Sequence, residues 1–144
     1  MKKFFYIFIF IVSHYTFGQE PYAINYTINE GLPTNTIYSS FQDTRGFIWF
    51  ATDVGVLKYD SKNFTLLNTD NGLSDNEVFQ IKEDFKGRKW FLTLNGKTSF
   101  IKNDTIFNDE NSTLIQQIKS KSMLIDFYED ADENVYLVSR NGEI

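Results

Sequence analysis

Along this chain, apolar residues cluster in short runs of four to six, and Asp, Asn and Gly separate the runs. Phe47-Ile-Trp-Phe-Ala-Thr52 is one such run, apolar on both alternating sets of positions: Phe47, Trp49 and Ala51 on one side, Ile48 and Phe50 on the other. That pattern predicts a strand covered on both faces, inside stacked sheets. Thr36–Gln42 precedes it, and Val56–Asp60 and Phe64–Asn68 follow it, each of strand length and each bounded by turn residues. Asp43-x-x-Gly46 marks the first hairpin: the carboxylate can accept backbone amides two or more residues on, and Gly takes the positive φ that ends the turn. Gly55 marks the second turn, and Ser61-Lys-Asn63 the third. The prediction is four antiparallel strands in about 40 residues.

The unit is written more than once. Asp84-Phe-Lys-Gly-Arg-Lys-Trp-Phe-Leu-Thr-Leu-Asn-Gly96 repeats Asp43-Thr-Arg-Gly-Phe-Ile-Trp-Phe-Ala-Thr-Asp-Val-Gly55 at an offset of 41 residues. Asp43, Gly46, Trp49, Thr52 and Gly55 recur as Asp84, Gly87, Trp90, Thr93 and Gly96. Upstream, Gly31-Leu32 recurs as Gly72-Leu73, and Asn35 as Asn76. A worn third copy begins at Asp130, with Tyr136 for Trp and Ser139 for Thr, and closes at Gly142. A fixed period near 40 with turn glycines and one aromatic per unit predicts a repeat architecture, an all-β propeller. Its blades are expected at about 31–70, 72–106 and a partial 119–144: two and a half four-stranded antiparallel blades in an incomplete ring.

Gly31-Leu-Pro-Thr-Asn-Thr-Ile-Tyr, followed by Asp43-x-x-Gly46-x-x-Trp49-Phe-Ala-Thr52-x-x-Gly55, resembles the two-component regulator propeller repeat. The resemblance covers residues 26–102 well and 123–142 weakly; Ala51 and Leu92 stand where that family often has Gly. It implies the N-terminal periplasmic sensor region of a Bacteroidetes-type sensor histidine kinase or hybrid two-component system. In such a protein a transmembrane helix and a cytoplasmic kinase follow the propeller. Kinase activity would then belong to that later part, and this chain is expected to be non-enzymatic. The partners implied are an extracellular or periplasmic ligand (an oligosaccharide in polysaccharide-sensing relatives), the remaining blades of the same protein, and a second receptor copy. The resemblance also suggests that the N-terminal strand completes the last blade.

Composition narrows the chemistry. Residues 1–18 read as an export signal: Lys2 and Lys3, an apolar core from Phe4 to Val12, then Thr16-Phe-Gly18. Such a core is too short to span about 30 Å of hydrocarbon. Residues 19–144 then form the exported propeller part, periplasmic, and anchored to the inner membrane in the full-length form. The chain carries a net charge of −5, and loss of the leader removes two lysines, which argues against nucleic acid as a partner. The one histidine, His14, lies in the leader, and the chain has no cysteine. No thiol nucleophile, His-based triad or phosphoacceptor histidine remains in the mature part, and no cofactor or metal is expected.

The remaining candidates have structural readings beside the chemical ones. Trp49 and Trp90 could stack on sugar rings, but equivalent places in a doubly covered strand favour packing between blades. Asp43 and Asp84 could hold calcium, but the hairpin turn accounts for them. Asp126, Glu129, Asp130, Asp132 and Glu133 form a denser acidic cluster without EF-hand spacing. No carboxylate pair stands out for glycoside hydrolysis, so no catalytic residue is assigned and the ligand-binding residues stay unassigned. The alternative functions are the first blades of a secreted propeller hydrolase or lyase, or of an adhesion module. Two further expectations concern connections. Tyr22, Ile24, Tyr26 and Ile28 alternate with polar residues and predict a leading strand, and Leu114–Ile118 fits either a helical turn or a strand.

Overall fold

A computed structural model describes residues 23–118 and 120–142. The export segment 1–18, with His14, lies outside them. Among the described residues, ten strands fall into three antiparallel sheets. The first runs β1 (Ile37–Gln42), β2 (Ile48–Thr52), β3 (Val56–Tyr59) and β4 (Phe64–Leu67) in consecutive order. The second repeats this with β5 (Val78–Glu83), β6 (Lys89–Thr93), β7 (Thr98–Lys102) and β8 (Thr105–Phe107). The third holds β9 (Leu124–Glu129) and β10 (Val135–Ser139). The all-β propeller class follows, with an unclosed ring.

Register follows from the alternation. Trp49 pairs with Lys58 and Phe41, and Ala51 with Val56 and Ser39, so these residues share one face. That face meets Val78, Ile81, Phe91 and Ile101 of the second sheet, forming the main core with Leu73. The opposite face of the second sheet, with Trp90 and Phe100, meets Phe127, Val135 and Leu137 of the third, and Ile115 and Ile118 pack into that second core. β6 is buried at every position, as a strand between two neighbours must be. The outer face of β2 is only half covered, with Ile48 and Phe50 partly exposed.

One irregularity is shared by all three sheets. The register slips between Ile37 and Ser39, between Val78 and Gln80, and between Val138 and Ser139, where Leu124 and Asp126 are the partners. Tyr38, Phe79 and Ile125 are therefore the extra residues of three equivalent β-bulges. The rings of Tyr38 and Phe79 lie 6.3 Å apart, and the Ser39 hydroxyl donates to the Phe79 carbonyl at 3.1 Å.

The leading strand is not formed. Residues 23–27 lie outside any element, and Ile28–Glu30 is a single 3-10 turn; Tyr22 is outside the described residues. The cause is local. Thr27 and Glu30 make a reciprocal capping box, and Gly31 closes the turn at φ 96°. Asn68, Asn71 and Gly72 build the same turn over Thr69–Asn71. Asn35 accepts from the Ile28 amide at 3.3 Å and Asn76 from the Thr69 amide at 2.9 Å, which explains the repeated Gly-Leu and Asn. Tyr26 folds over the outer face of the first sheet, its ring 5.2 Å from Phe64 and its hydroxyl 3.0 Å from that of Tyr59. Between the second and third sheets, Thr113–Gln116 is a short helix capped by Ser112, which settles the ambiguous segment.

Candidate functional site

Each Asp-x-x-Gly turn is held by one carboxylate. Asp43 Oδ1 accepts from the Arg45 and Phe47 amides, both at 3.0 Å, and its Oδ2 accepts from the Trp49 indole at 3.0 Å. Asp84 takes the Lys86 and Arg88 amides at 3.0 and 2.9 Å and the Trp90 indole at 2.7 Å. Asp130 takes the Asp132 and Asn134 amides, both at 2.9 Å, and the Tyr136 hydroxyl at 3.0 Å. The aromatic six residues after each Asp is therefore a hydrogen-bond donor as well as a packing group. That is the chemistry Trp and Tyr share and Phe lacks. The link itself could be read from the sequence: the third copy keeps an N–H or O–H at this place.

Gly46 and Gly87 end these turns at φ 88° and 71°. In the third turn Glu133 occupies the glycine position at φ 63°, the left-handed region, and its carboxylate pairs with Lys86 at 3.0 Å. Thr52 donates its hydroxyl to the Gly55 carbonyl at 2.7 Å, and Thr93 donates to that of Lys97 at 2.6 Å. Ser139 bonds Asn141 in the corresponding loop. Gly55 and Gly96 sit where the backbone passes closely: a Cβ would stand 2.2 Å from the Leu67 carbonyl oxygen and 2.5 Å from that of Ser122.

Sequence reasoning missed the groups that join the sheets. In the second and third sheets the residue just before the turn Asp reaches back to the preceding turn. Glu83 accepts from the Thr44 amide at 3.0 Å, and Glu129 accepts from the Phe85 amide at 2.7 Å. Lys89 is buried between the first two sheets, 2.9 Å from Glu83 and 3.4 Å from Asp43. Burial pushes the Asp43 carboxyl up. The Trp49 indole, the Phe47 amide, the Lys89 ammonium and the Arg45 amide outweigh that and hold it below its ordinary value. Asp130 is held low by its bonds to Asn134, Tyr136 and Asp132, and Asp130 in turn raises the Tyr136 phenol.

The acidic cluster is thus spread over separate tasks: Asp130 in the turn, Glu129 and Glu133 across the seam to the second sheet. Among the described residues no group of three or more Asp, Glu, His or Cys could hold a metal ion. Trp49 and Trp90 are buried, at 0% and 1% exposure, so neither presents a stacking surface.

Among the described residues, clefts lie in both seams. A cleft of about 340 Å³ between the first and second sheets is lined by Phe47, Lys58, Asp60, Leu67, Ile101 and Asp104. Lys58 stands over the Phe47 ring at 4.4 Å and 3.7 Å from Asp104. A larger groove of about 460 Å³ lies between the second and third sheets.

Three sheets of one design, joined face to face by one kind of seam, are consecutive propeller blades. Residues 31–54 match the family model of the two component regulator propeller. That match covers the first Gly-Leu, the Asp43 turn, Trp49 and Thr52. Among solved structures, the chain is similar to the extracellular domain of a hybrid two component system from B. thetaiotaomicron, at 22% identity and a TM-score of 0.62. The likeness takes in 81% of this chain and 16% of that one, so the present chain spans about a sixth of its length. It shows the fold. No curated protein matches the chain. Among the described residues, no helix is long and apolar enough to cross a membrane.

Proposed function

We propose that the chain is the beginning of an exported, non-catalytic sensory propeller in a sensor histidine kinase or hybrid two-component system, with ligand binding as its task. The observation that carries this is the propeller repeat at 31–54, set in a blade array similar to an extracellular domain of that kind. The non-catalytic reading is supported by the engagement of its carboxylates. The three turn aspartates and the seam glutamates Glu83 and Glu129 all serve backbone amides or ion pairs. In a receptor of this kind, a ligand would act by its differential affinity for two arrangements of the receptor dimer.

The test is to read the transcript past the codon for Ile144 and assay its product in membrane vesicles. Further repeats, an apolar span of about 20 residues and ATP-dependent autophosphorylation are expected. A product that ends in a sorting domain, or that releases new reducing ends from polysaccharide, would overturn the proposal.

A further inference from the structure

The repeat shows where the first blade departs from the second. In the second, Trp90 is followed across the sheet by Phe100 on β7 and Phe107 on β8. Neighbouring ring centroids in that row are 4.9 Å apart, and the row packs into the second seam. The same row in the first blade runs Trp49, Lys58, Thr65. An ammonium and a hydroxyl stand where the second blade has two aromatic rings, and the seam is open there. This is the cleft of about 340 Å³, a volume within the range of small-molecule sites, about 300–1,000 Å³. All four strands of both blades are in place around it.

Phe47, Leu67 and Ile101 give the cleft its apolar surface. The Lys58 side chain is 22% exposed, whereas that of Asp104 is 74% exposed, so the cation lies inside and the carboxylate at the rim. The two are 3.7 Å apart, beyond hydrogen-bond range, and among the described residues the Lys58 ammonium makes no hydrogen bond. Its other neighbours are the rings of Phe47 and Trp49, 4.4 and 5.4 Å from Nζ. A loose, half-exposed ion pair contributes little, so an incoming carboxylate displaces little. Asp60, also on the rim, takes the Lys62 and Asn63 amides on Oδ1, which leaves Oδ2.

We infer that this cleft is a binding site for a free α-amino acid with an aromatic side chain. The carboxylate accepts from the Lys58 ammonium and the Thr65 hydroxyl, and the α-ammonium meets Asp104 and Asp60. The ring lies against Phe47, Leu67 and Ile101, in the space that Phe100 and Phe107 fill one blade further on. One cation within and two anions at the rim match a zwitterion. A plain carboxylic acid would meet the rim carboxylates unpaired, and a plain amine would meet Lys58. The inference deepens the sensory reading, and rests on it for the purpose of the site.

The test uses the whole chain with L-phenylalanine as probe, read by calorimetry and by amide NMR shifts. Saturable binding is expected, with the shifts centred on Lys58, Thr65 and Asp104. Hydrocinnamate, which lacks the ammonium, and phenethylamine, which lacks the carboxylate, should each bind about tenfold or more weakly. Lys58→Met keeps the stem beside Phe47 and should cost L-phenylalanine about tenfold without weakening phenethylamine. Asp104→Asn suits the same turn at φ 58°; it should weaken L-phenylalanine and phenethylamine but spare hydrocinnamate, and it decides alone if Lys58→Met does not fold. No saturable binding, shifts centred elsewhere, an analogue that binds as tightly as L-phenylalanine, or variants that leave the affinities unchanged would each overturn the assignment. The two readings fail separately. A longer product that signals, beside a chain that ignores L-phenylalanine, sinks the amino-acid site alone; a chain that binds it, beside a product without a kinase, sinks the sensory reading alone.

Discussion

Replacing Asp43 by Asn changes almost no volume and removes one charge. One carboxamide oxygen can still accept the Arg45 and Phe47 amides, but the NH2 group then faces the Trp49 indole N–H and the Lys89 ammonium. Two donors are left meeting a donor in a site only 4% exposed. A buried hydrogen bond to a charged group contributes about 1.5–3 kcal/mol, and Lys89 also loses part of its neutralisation. The expected loss is about 3 kcal/mol, a large fraction of the roughly 5–15 kcal/mol that holds a small domain folded. Urea unfolding followed by far-UV circular dichroism measures it, because the midpoint falls at constant slope.

The pH dependence supplies the sign. The Asp43 carboxyl titrates below its ordinary 3.8 in the folded chain. Its contribution is therefore complete above the unfolded value and lost as pH falls through the folded one. The gap between parent and Asp43→Asn should be full at neutral pH, begin to narrow as the pH falls below the ordinary 3.8, and close as it falls on through the lower folded value. Trp49→Phe, which keeps the ring and removes the donor, should be coupled to Asp43→Asn by about 1–2 kcal/mol in a double-mutant cycle. A loss at pH 7 under about 1 kcal/mol, or a gap that persists undiminished in acid, would refute the assignment of this carboxylate as the charged hub of the turn.

The glycines separate two kinds of constraint. Gly31→Ala meets open space at φ 96° and should cost about 1 kcal/mol, whereas Gly55→Ala at φ 135° drives a Cβ into the Leu67 carbonyl and should cost about 3 kcal/mol or more; equal melting temperatures would contradict this. Glu83→Gln keeps an acceptor for Thr44 but leaves Lys89 with Asp43 alone, so a loss of about 1–3 kcal/mol is expected in urea midpoints. Tyr26→Ala uncovers Phe64 and Tyr59 on the outer face of the first blade; it should lower stability by about 1–3 kcal/mol and increase binding of an apolar dye, and unchanged dye binding would count against the cap.

What the sequence disclosed and what it hid divide along one physical line. The turns and strand faces depend on residues close in the chain, so Asp43, Gly46, Trp49 and Gly55 could be placed from spacing alone. The groups that join blades do not recur as identical letters. Position 48 is Ile, yet its equivalents Lys89 and Val135 differ from it and from each other. The residue before the turn Asp is Gln42 in one copy and a glutamate in the other two. Only the three-dimensional seam shows that Glu83 and Glu129 do the same thing. The leading strand fails for the opposite reason. Alternation from Tyr22 to Ile28 is overridden by the local turn signal Thr27-Ile-Asn-Glu-Gly31, which stands 41 residues before Asn68-Thr-Asp-Asn-Gly72 and folds as it does.

The seams are alike in shape and unlike in how they neutralise charge. Four residues after the turn Asp stand Phe47, Arg88 and Asn134. Arg88 bonds Asp84 within its own blade and stacks over Trp90 at 5.1 Å. Asn134 likewise serves Asp130 at 3.0 Å. Phe47 can do neither, and the half-exposed Arg45 approaches Asp43 only to 3.8 Å. The buried Asp43 therefore draws its cation from the next blade, through Lys89, which Glu83 holds in place. Where Lys89 stands in the second blade, the third has Val135, and the second seam closes on apolar contact, the Glu129 latch and the exposed Lys86–Glu133 pair. The first seam thus ties the buried turn Asp of one blade to the strand of the next, while beside the second seam Asp84 and Asp130 draw their side-chain partners from their own blades. In a repeat array, where stability is a sum of unit and neighbour terms, that concentrates coupling between the first two blades and makes the second seam the softer joint. The softer joint is also the one that carries the groove of about 460 Å³.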